Sequence, residues 1–364
     1  MARFRIKFPK KRINKFSGNE RSSSTSKQSF SASKNKTTKL ALLAMFVIIL
    51  LIIAGKLLGV LNSLYQPLDS KIPTHKNYTW NGETAINVVI KNKEISLLHF
   101  DPFDKKAILL KIPNETYIEV PKGYGSWRID SIYELGEAGS EPIGPLLLKD
   151  SITSLVGIPI DGILIFKNPF DSSIDDEIKS LRGNPLKIFS LLKNVTGDLT
   201  LMETASLFWN ISKVREDKLT LLDLYQTEIT KSKLLPDQSR VLGVDIVNLD
   251  LFIRKNLSDS AISQEDESVA IYNTTNHPGL AQSAARWVSN LGVDVVVISS
   301  SSINHDKTSV IGIKKSLTFK RLAEIFAPNC LNTKCKIKDA DLNLDRSEIN
   351  IILGEDFYEQ YFQK

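Results

Sequence analysis

Hydrophobic and polar positions divide this 364-residue chain into stretches of different periodicity. The run LALLAMFVIILLIIAG, Leu40–Gly55, carries no charge, and it continues past Lys56 through Leu57, Leu58, Val60 and Leu61. At about 1.5 Å per helical residue, Leu40–Leu61 spans roughly 33 Å, close to the hydrocarbon thickness of a bilayer. Lys56 lies near one end, where a long side chain reaches the headgroups. The run exceeds a typical signal-peptide core and no A-x-A site follows it, so the pattern predicts an uncleaved membrane helix over 40–64.

At the other end of the chain the pattern changes to short strands and amphipathic helices. Val269–Tyr272 is a short apolar strand, followed by the turn cluster NTTNHPG. Leu280, Ala284, Ala285, Val288 and Leu291 then recur at helical spacing, and Gly292 stops that helix. VDVVVIS, Val293–Ser299, predicts a buried strand. Ser309–Ile313 predicts another, Leu317–Phe326 a helix with Pro328 downstream, and Ile349–Leu353 a last strand. The order β-α-β-β-α-β implies a small α/β domain over 269–358, with helices on one sheet. A longer region, 85–257, precedes it. The polar stretch 65–84 and the charge-rich SDSAISQEDES, 258–268, are expected to be linkers.

Charge separates the chain further. Residues 1–39 hold twelve Lys/Arg and one acid, Glu20, which leaves 35 Lys/Arg against 40 Asp/Glu in residues 40–364. The overall +6 therefore belongs to the head, and the remainder is −5. A basic head keeps its side of the helix cytoplasmic, so the domains after Leu64 are expected outside. The head is too polar to bury a core and is expected to be disordered. The acidic remainder excludes nucleic acid as a partner of the folded part.

Candidate chemistry is sparse. Cys330 and Cys335, in NCLNTKC, could form a disulfide on the oxidising side of the membrane or stay as thiols. No His or carboxylate at ligand spacing joins them into a metal site. The four histidines, His75, His99, His277 and His305, form no triad pattern. His277 precedes a helix start, where free N–H groups can hold an anion. The alternative is that Asn273, Asn276, Pro278 and Gly279 simply build the turn. Arg128 and Lys122 could touch a phosphate, and the alternative is a solvated surface pair.

The C-terminal residues VAIYNTTNHPGLAQSAARWVSNLGVDVVVIS, SVIGI, LTFKRLAEIF and INIILGEDF resemble the C-terminal domain of LytR-type envelope proteins. The middle region, 85–257, resembles the LytR-CpsA-Psr domain, which implies a second, larger α/β domain there. Its EISLLHFDPFDKKAILLKIPNETYIEVPKGYGSWRIDSIYELG follows that family's "DP…KK", "IPRDTYVEIPG" and "KINAAYAYGG" order, and LLLKDSITSLVGIPIDGILIF its "LGIPIDYYVVV" strand. The resemblance implies a bacterial envelope protein. It also implies transfer of glycan polymers from undecaprenyl-pyrophosphate lipid to peptidoglycan, with Mg²⁺, arginines and acids around the pyrophosphate.

The departures from that pattern matter more. Asn114 stands where the family has arginine in "IPRDT", and Glu115 where it has aspartate. The "DSR…RSDT" loop is reduced to KNKE, Lys91–Glu94. The stretch that should carry further arginines, Lys167–Lys193, holds only Arg182. Phosphoryl transfer rests on electrostatic clamping by arginine and metal, and one lost contact costs several kcal/mol of barrier. The expectation is thus a single-pass envelope protein with a degenerate LytR-CpsA-Psr-like domain, no catalysis and no cofactor. It would bind or scaffold cell-wall glycan, polyprenyl-pyrophosphate lipid or envelope proteins, with Asn273, Asn276, His277, Gly279, Arg128 and Glu115 as candidate contacts. The alternative is a divergent transferase using Asp101, Glu115 and Asp130 on Mg²⁺. A transcriptional role would need the head to bind DNA, against the anchor and the charge.

Overall fold

The computed structural model describes residues 36–363 apart from Ser140, 169–172, Ser302 and 328–346. Helix α1, Lys36–Leu64, is long and apolar enough to cross a membrane. Residues from Leu58 onward form one compact unit.

In the middle domain, β1 (Ile86–Lys91), β2 (Ile95–Asp101) and β3 (Lys106–Ile112) form an antiparallel meander. A short hairpin follows, β4 (Tyr117–Val120) and β5 (Gly125–Arg128), then α2 (Ile129–Glu137) and α3 (Gly144–Val156). Strand β6 (Gly162–Phe166) pairs parallel to β1. Helices α4 (Ile174–Gly183) and α5 (Lys187–Asn194), strand β7 (Val195–Gly197) and α6 (Leu201–Ser212) come next. Strand β8 (Leu219–Asp223) pairs parallel to β3 and completes a six-stranded sheet of order β7-β6-β1-β2-β3-β8. The hairpin β9 (Thr230–Leu234) and β10 (Arg240–Val244) leads into α7 (Ile246–Leu257) and α8 (Ser260–Glu265).

The central strands are near-continuous apolar runs because both faces of this sheet are covered. Val89, Leu97, Ile108, Leu110 and Ile163 pack on α2, α3 and α7, while Val88, Ile90, Leu98, Phe100 and Leu109 pack on α4, α5 and α6. Helix α3 takes Pro145 in its first turn and ends at Gly157, whose φ of +63° is left-handed. Helix α6 begins with a capping box between Thr200 and Glu203, which satisfies two otherwise orphan N–H groups.

The C-terminal domain runs β11 (Ser268–Asn273), α9 (Leu280–Asn290), β12 (Asp294–Ser300), β13 (Ser309–Gly312), α10 (Leu317–Phe326), β14 (Ile349–Leu353) and α11 (Glu355–Tyr361). This is the expected β-α-β-β-α-β order with one added helix. Its sheet has the order β12-β11-β14-β13, and Trp287, Val288, Leu322, Phe326 and Phe357 fill the space beneath the helices. One strand differs from expectation. β12 is at the sheet edge, so Val296 and Ile298 are exposed although the run VDVVVIS reads as buried.

The two stretches expected to be linkers are packed. In 258–268, Asp259 caps α8 and Ala261 and Ile262 are buried. In 65–84, Trp80 is buried and Leu68 N–H donates to Leu199 O at 2.8 Å. Polar composition hides this because the polar side chains here are themselves bonding partners. Cys330 and Cys335 lie outside the described residues.

Candidate functional site

The parallel pairings β1 with β6 and β3 with β8, with β2 antiparallel between β1 and β3, turn four carboxyl ends toward one edge of the sheet. In open α/β sheets ligands bind beyond those ends. A cleft of about 280 Å³ lies there, lined by Glu94, Lys111, Ile112, Asn114, Glu115 and Asp223 among others. Pro113 ends β3, Thr116 N–H donates back to Pro113 O at 3.0 Å, and Glu115 O accepts from Leu242 N–H at 2.9 Å. The turn that carries Asn114 and Glu115 is thereby fixed against the β9/β10 hairpin.

The electrostatics of this cleft oppose an anion. Glu94, Glu115 and Asp223 face it with Lys111 the one cation in its lining. Lys111 Nζ already meets Asp175 at 3.0 Å and Glu94 at 3.9 Å. Burial works against its charge, but the hydrogen bond to Asp175 and the nearby carboxylates hold its pKa above the ordinary lysine value. A pyrophosphate here would meet repulsion without a guanidinium fork to offset it. The metal expected with such a ligand fares no better. Glu115 lies beyond the carboxyl end of β3, whereas Asp101 pairs with Lys106 at its amino end, six residues or about 20 Å along the strand. Asp101 is buried and accepts from the N–H groups of Phe103, Asp104 and Ser260, and Asp130 accepts from Arg128. Among the described residues no three His, Cys, Asp or Glu side chains are placed to hold a metal ion. The residues present do not fit a Mg²⁺–pyrophosphate group.

The residues singled out in the sequence fall in two separate places. Glu115 lines the cleft, and Arg128, at the start of α2, spends Nη2 on Asp130 at 3.0 Å outside it. Asn273, His277 and Gly279 meet at the start of α9. Asn273 is buried, accepts from Thr275 N–H and Oγ1–H, and donates to the His277 carbonyl at 2.8 Å. Gly279 takes φ +84° before the helix. The His277 ring stacks on Tyr358 with centroids 3.3 Å apart, and Nε2 lies 3.0 Å from Glu355 Oε2. A concavity of about 170 Å³ adjoins His277, Leu280, Ser283, Tyr358 and Phe362, and Asn276 is exposed beside it. Turn-building thus accounts for Asn273, while His277 also faces open space.

A buried charged seam, which no local pattern in the sequence marks, joins the middle and C-terminal domains. Arg321 of α10 is 1% exposed and reaches both carboxylate oxygens of Asp161, at 2.7 and 2.9 Å. Tyr78 donates to Asp161 and accepts from Arg321. Burial raises the Tyr78 pKa well above its ordinary value, and Asp161 adds to that, so the phenol keeps its proton. Nearby, buried Lys149 and Asp198 pair at 2.5 Å, Lys76 pairs with Glu203, and His75 Nε2 lies 3.2 Å from Asp150. Lys122, a phosphate candidate from sequence, instead donates to the Gln360 carbonyl at 3.0 Å. Arg286 lies on α9 and donates to the carbonyls of Ser154 and Leu155 at the end of α3, and to Asp250 of α7. An arginine within an amphipathic helix, as in LTFKRLAEIF, was the available signal; its burial depends on a partner domain that no local pattern shows.

Residues 266–357 match the family described as LytR cell envelope-related transcriptional attenuator. The match covers the C-terminal domain, whose strand and turn pattern carries the same resemblance in the sequence. No curated protein matches the sequence. Among solved structures the chain is similar to TagT of B. subtilis, at 13% identity and TM-score 0.35 over 53% of this chain and 97% of that one. It is similar to a LytR-CPS2A-psr family protein, YwtF (TagT), with bound octaprenyl pyrophosphate lipid, at 14% identity and TM-score 0.35 over 53% and 96%. Lin1025 of Listeria innocua gives 13% and 0.35 over 48% and 98%. Likeness of that degree says nothing about chemistry at the cleft.

Proposed function

We propose that this chain is a membrane-anchored, extracytoplasmic cell-envelope protein that binds or scaffolds and does not catalyse glycan transfer. The observation that carries the reading is the cleft at the carboxyl ends of β3 and β8. Three carboxylates face it and its lysine is already engaged by Asp175, where pyrophosphate chemistry needs concentrated positive charge. The match of residues 266–357 supports an envelope role. The basic head and apolar helix α1 support single-pass anchoring with the head cytoplasmic. Cell-wall glycan or another envelope protein is the partner class, and a polyprenyl-pyrophosphate lipid would have to place its anionic group outside this cleft.

The test is polyprenyl-pyrophosphate binding to the full chain in detergent micelles, with and without Mg²⁺, following phosphate-bond cleavage in the same sample. Binding without turnover supports a non-catalytic lipid binder. No binding leaves wall glycan or protein as the partner. Mg²⁺-dependent turnover overturns the reading in favour of a transferase.

A further inference from the structure

Helices α5 and α6 bury Ile188, Leu191, Leu207, Phe208 and Ile211 against one face of the six-stranded sheet. Their outer surfaces therefore look away from that sheet on the same side. Those surfaces are not the polar stripes of an ordinary solvent-facing helix. Met202, Ser206, Trp209 and Lys213 follow one another at helical spacing, with Met202 42% and Trp209 50% exposed. On and before α5, Leu186 is 71% and Phe189 66% exposed, with exposed Lys187 and Lys193. Lys213 Nζ sits 4.5 Å over the Trp209 ring.

Within Gly183–Val214 the exposed charges have one sign, and of the exposed acids that follow, Asp217 pairs with Arg215 at 3.0 Å. Between Gly183 and Val214 the acids are Asp198 and Glu203, and both are buried and paired, with Lys149 and Lys76. Lys187, Lys193 and Lys213 remain exposed. Aromatic and aliphatic side chains ringed by lysines are the composition of a surface that enters the headgroup layer of an anionic bilayer.

Chain connectivity says where that layer is. Helix α1 ends at Leu64, and Pro67 is already bridged to Thr200, the residue before α6. Leu68 and Asp69 N–H groups donate to the Leu199 and Gly197 carbonyls at 2.8 and 3.0 Å. Three residues reach at most about 10 Å, so the amino end of α6 is held close to the point where the apolar helix ends. We infer that the outer surface of α5 and α6, through Leu186, Phe189, Met202 and Trp209 with their lysines, docks on an anionic lipid surface. It thereby holds the extracytoplasmic part down on the membrane. This inference rests on α1 being the membrane anchor.

The experiment reconstitutes the full chain into vesicles of phosphatidylcholine alone or mixed with phosphatidylglycerol, with bromine-labelled acyl chains as quenchers of tryptophan emission. Trp80 and Trp287 are buried, and Trp127 is half-exposed on β5. Trp209 is therefore expected to supply most of the quenching, and Trp209→Phe to lower it about twofold or more, while Trp127→Phe leaves it unchanged. Lys187→Glu with Lys193→Glu is expected to bring quenching in the anionic vesicles down to the level in neutral ones. Flotation of the same vesicles tests the anchor separately. A chain that floats but shows no Trp209-dependent quenching, or equal quenching in neutral vesicles, overturns the docking. A chain that fails to float overturns the anchor and the docking with it.

Discussion

Arg321 Nη2 holds both oxygens of Asp161 across 160 residues of sequence, with both side chains at 1% exposure or less. The pair ties α10 of the C-terminal domain to the residue before β6 of the middle domain. Tyr78, from the stretch after the apolar helix, closes the group as donor to Asp161 and acceptor from Arg321. Three parts of the chain thus meet at one buried carboxylate.

Breaking this pair from one side leaves a buried charge without its partner. Arg321→Met is expected to cost about 3–5 kcal/mol in denaturant unfolding. Arg321→Met with Asp161→Leu should recover much of that loss, because the uncompensated charge is gone. A single-variant loss under about 1 kcal/mol would show that the seam contributes little.

Gly157 makes the second prediction. Its φ of +63° disfavours any side chain, and a Cβ there would stand 2.6 Å from Arg286 Nε. Gly157→Ala is therefore expected to lower stability by about 1–3 kcal/mol. Adding Arg286→Ala leaves Asn290 Nδ2 at 2.8 Å and the backbone strain, and removes the Arg286 bonds to Ser154, Leu155 and Asp250, so no recovery is expected in the same unfolding measurement.

Two buried groups of opposite sign contribute to the pH dependence of stability. Burial lowers the His99 pKa to about 4, so the unfolded chain takes up a proton first and stability falls as pH drops from 6.5 toward 4. Burial raises the Asp259 pKa to about 6, so the folded state takes up a proton first and stability rises as pH drops from about 6 toward 3.8. The two oppose each other over most of the same window. Asp259→Asn removes the second contribution and should expose an acid loss on the order of 3 kcal/mol from His99. Thermal unfolding between pH 7 and pH 4 reads it, and a variant with the same profile as the parent would contradict the assignment.

The cleft offers a fourth test. If Glu115 and Asp223 repel an anion, Glu115→Gln with Asp223→Asn should strengthen inorganic pyrophosphate binding by about two- to fivefold per charge removed at low salt. The gain should shrink as salt screens the site. Calorimetric titration at two ionic strengths measures both, and an unchanged affinity would remove the electrostatic argument against phosphate chemistry there.

Much of this protein was legible in the chain itself. The apolar run, the β-α-β-β-α-β order and the residues that carry the C-terminal family match are all local properties. They follow from hydrophobic period, helix stops and turn residues that act within a few positions of one another. The identities of Asn114 and Glu115 are equally local, and the structure adds that Glu94 and Asp223 share their cleft.

Tertiary structure decided the rest. Whether VDVVVIS is buried depends on β12 lying at a sheet edge, which no period reveals. SDSAISQEDES reads as a tether, yet Asp259 accepts from Ala85 N–H and Glu265 from Leu317 and Thr318 N–H groups. Asp161, Arg321 and Tyr78 are ordinary polar residues in sequence. They form one buried group because burying charge is tolerable only when distant parts of the chain supply its partners.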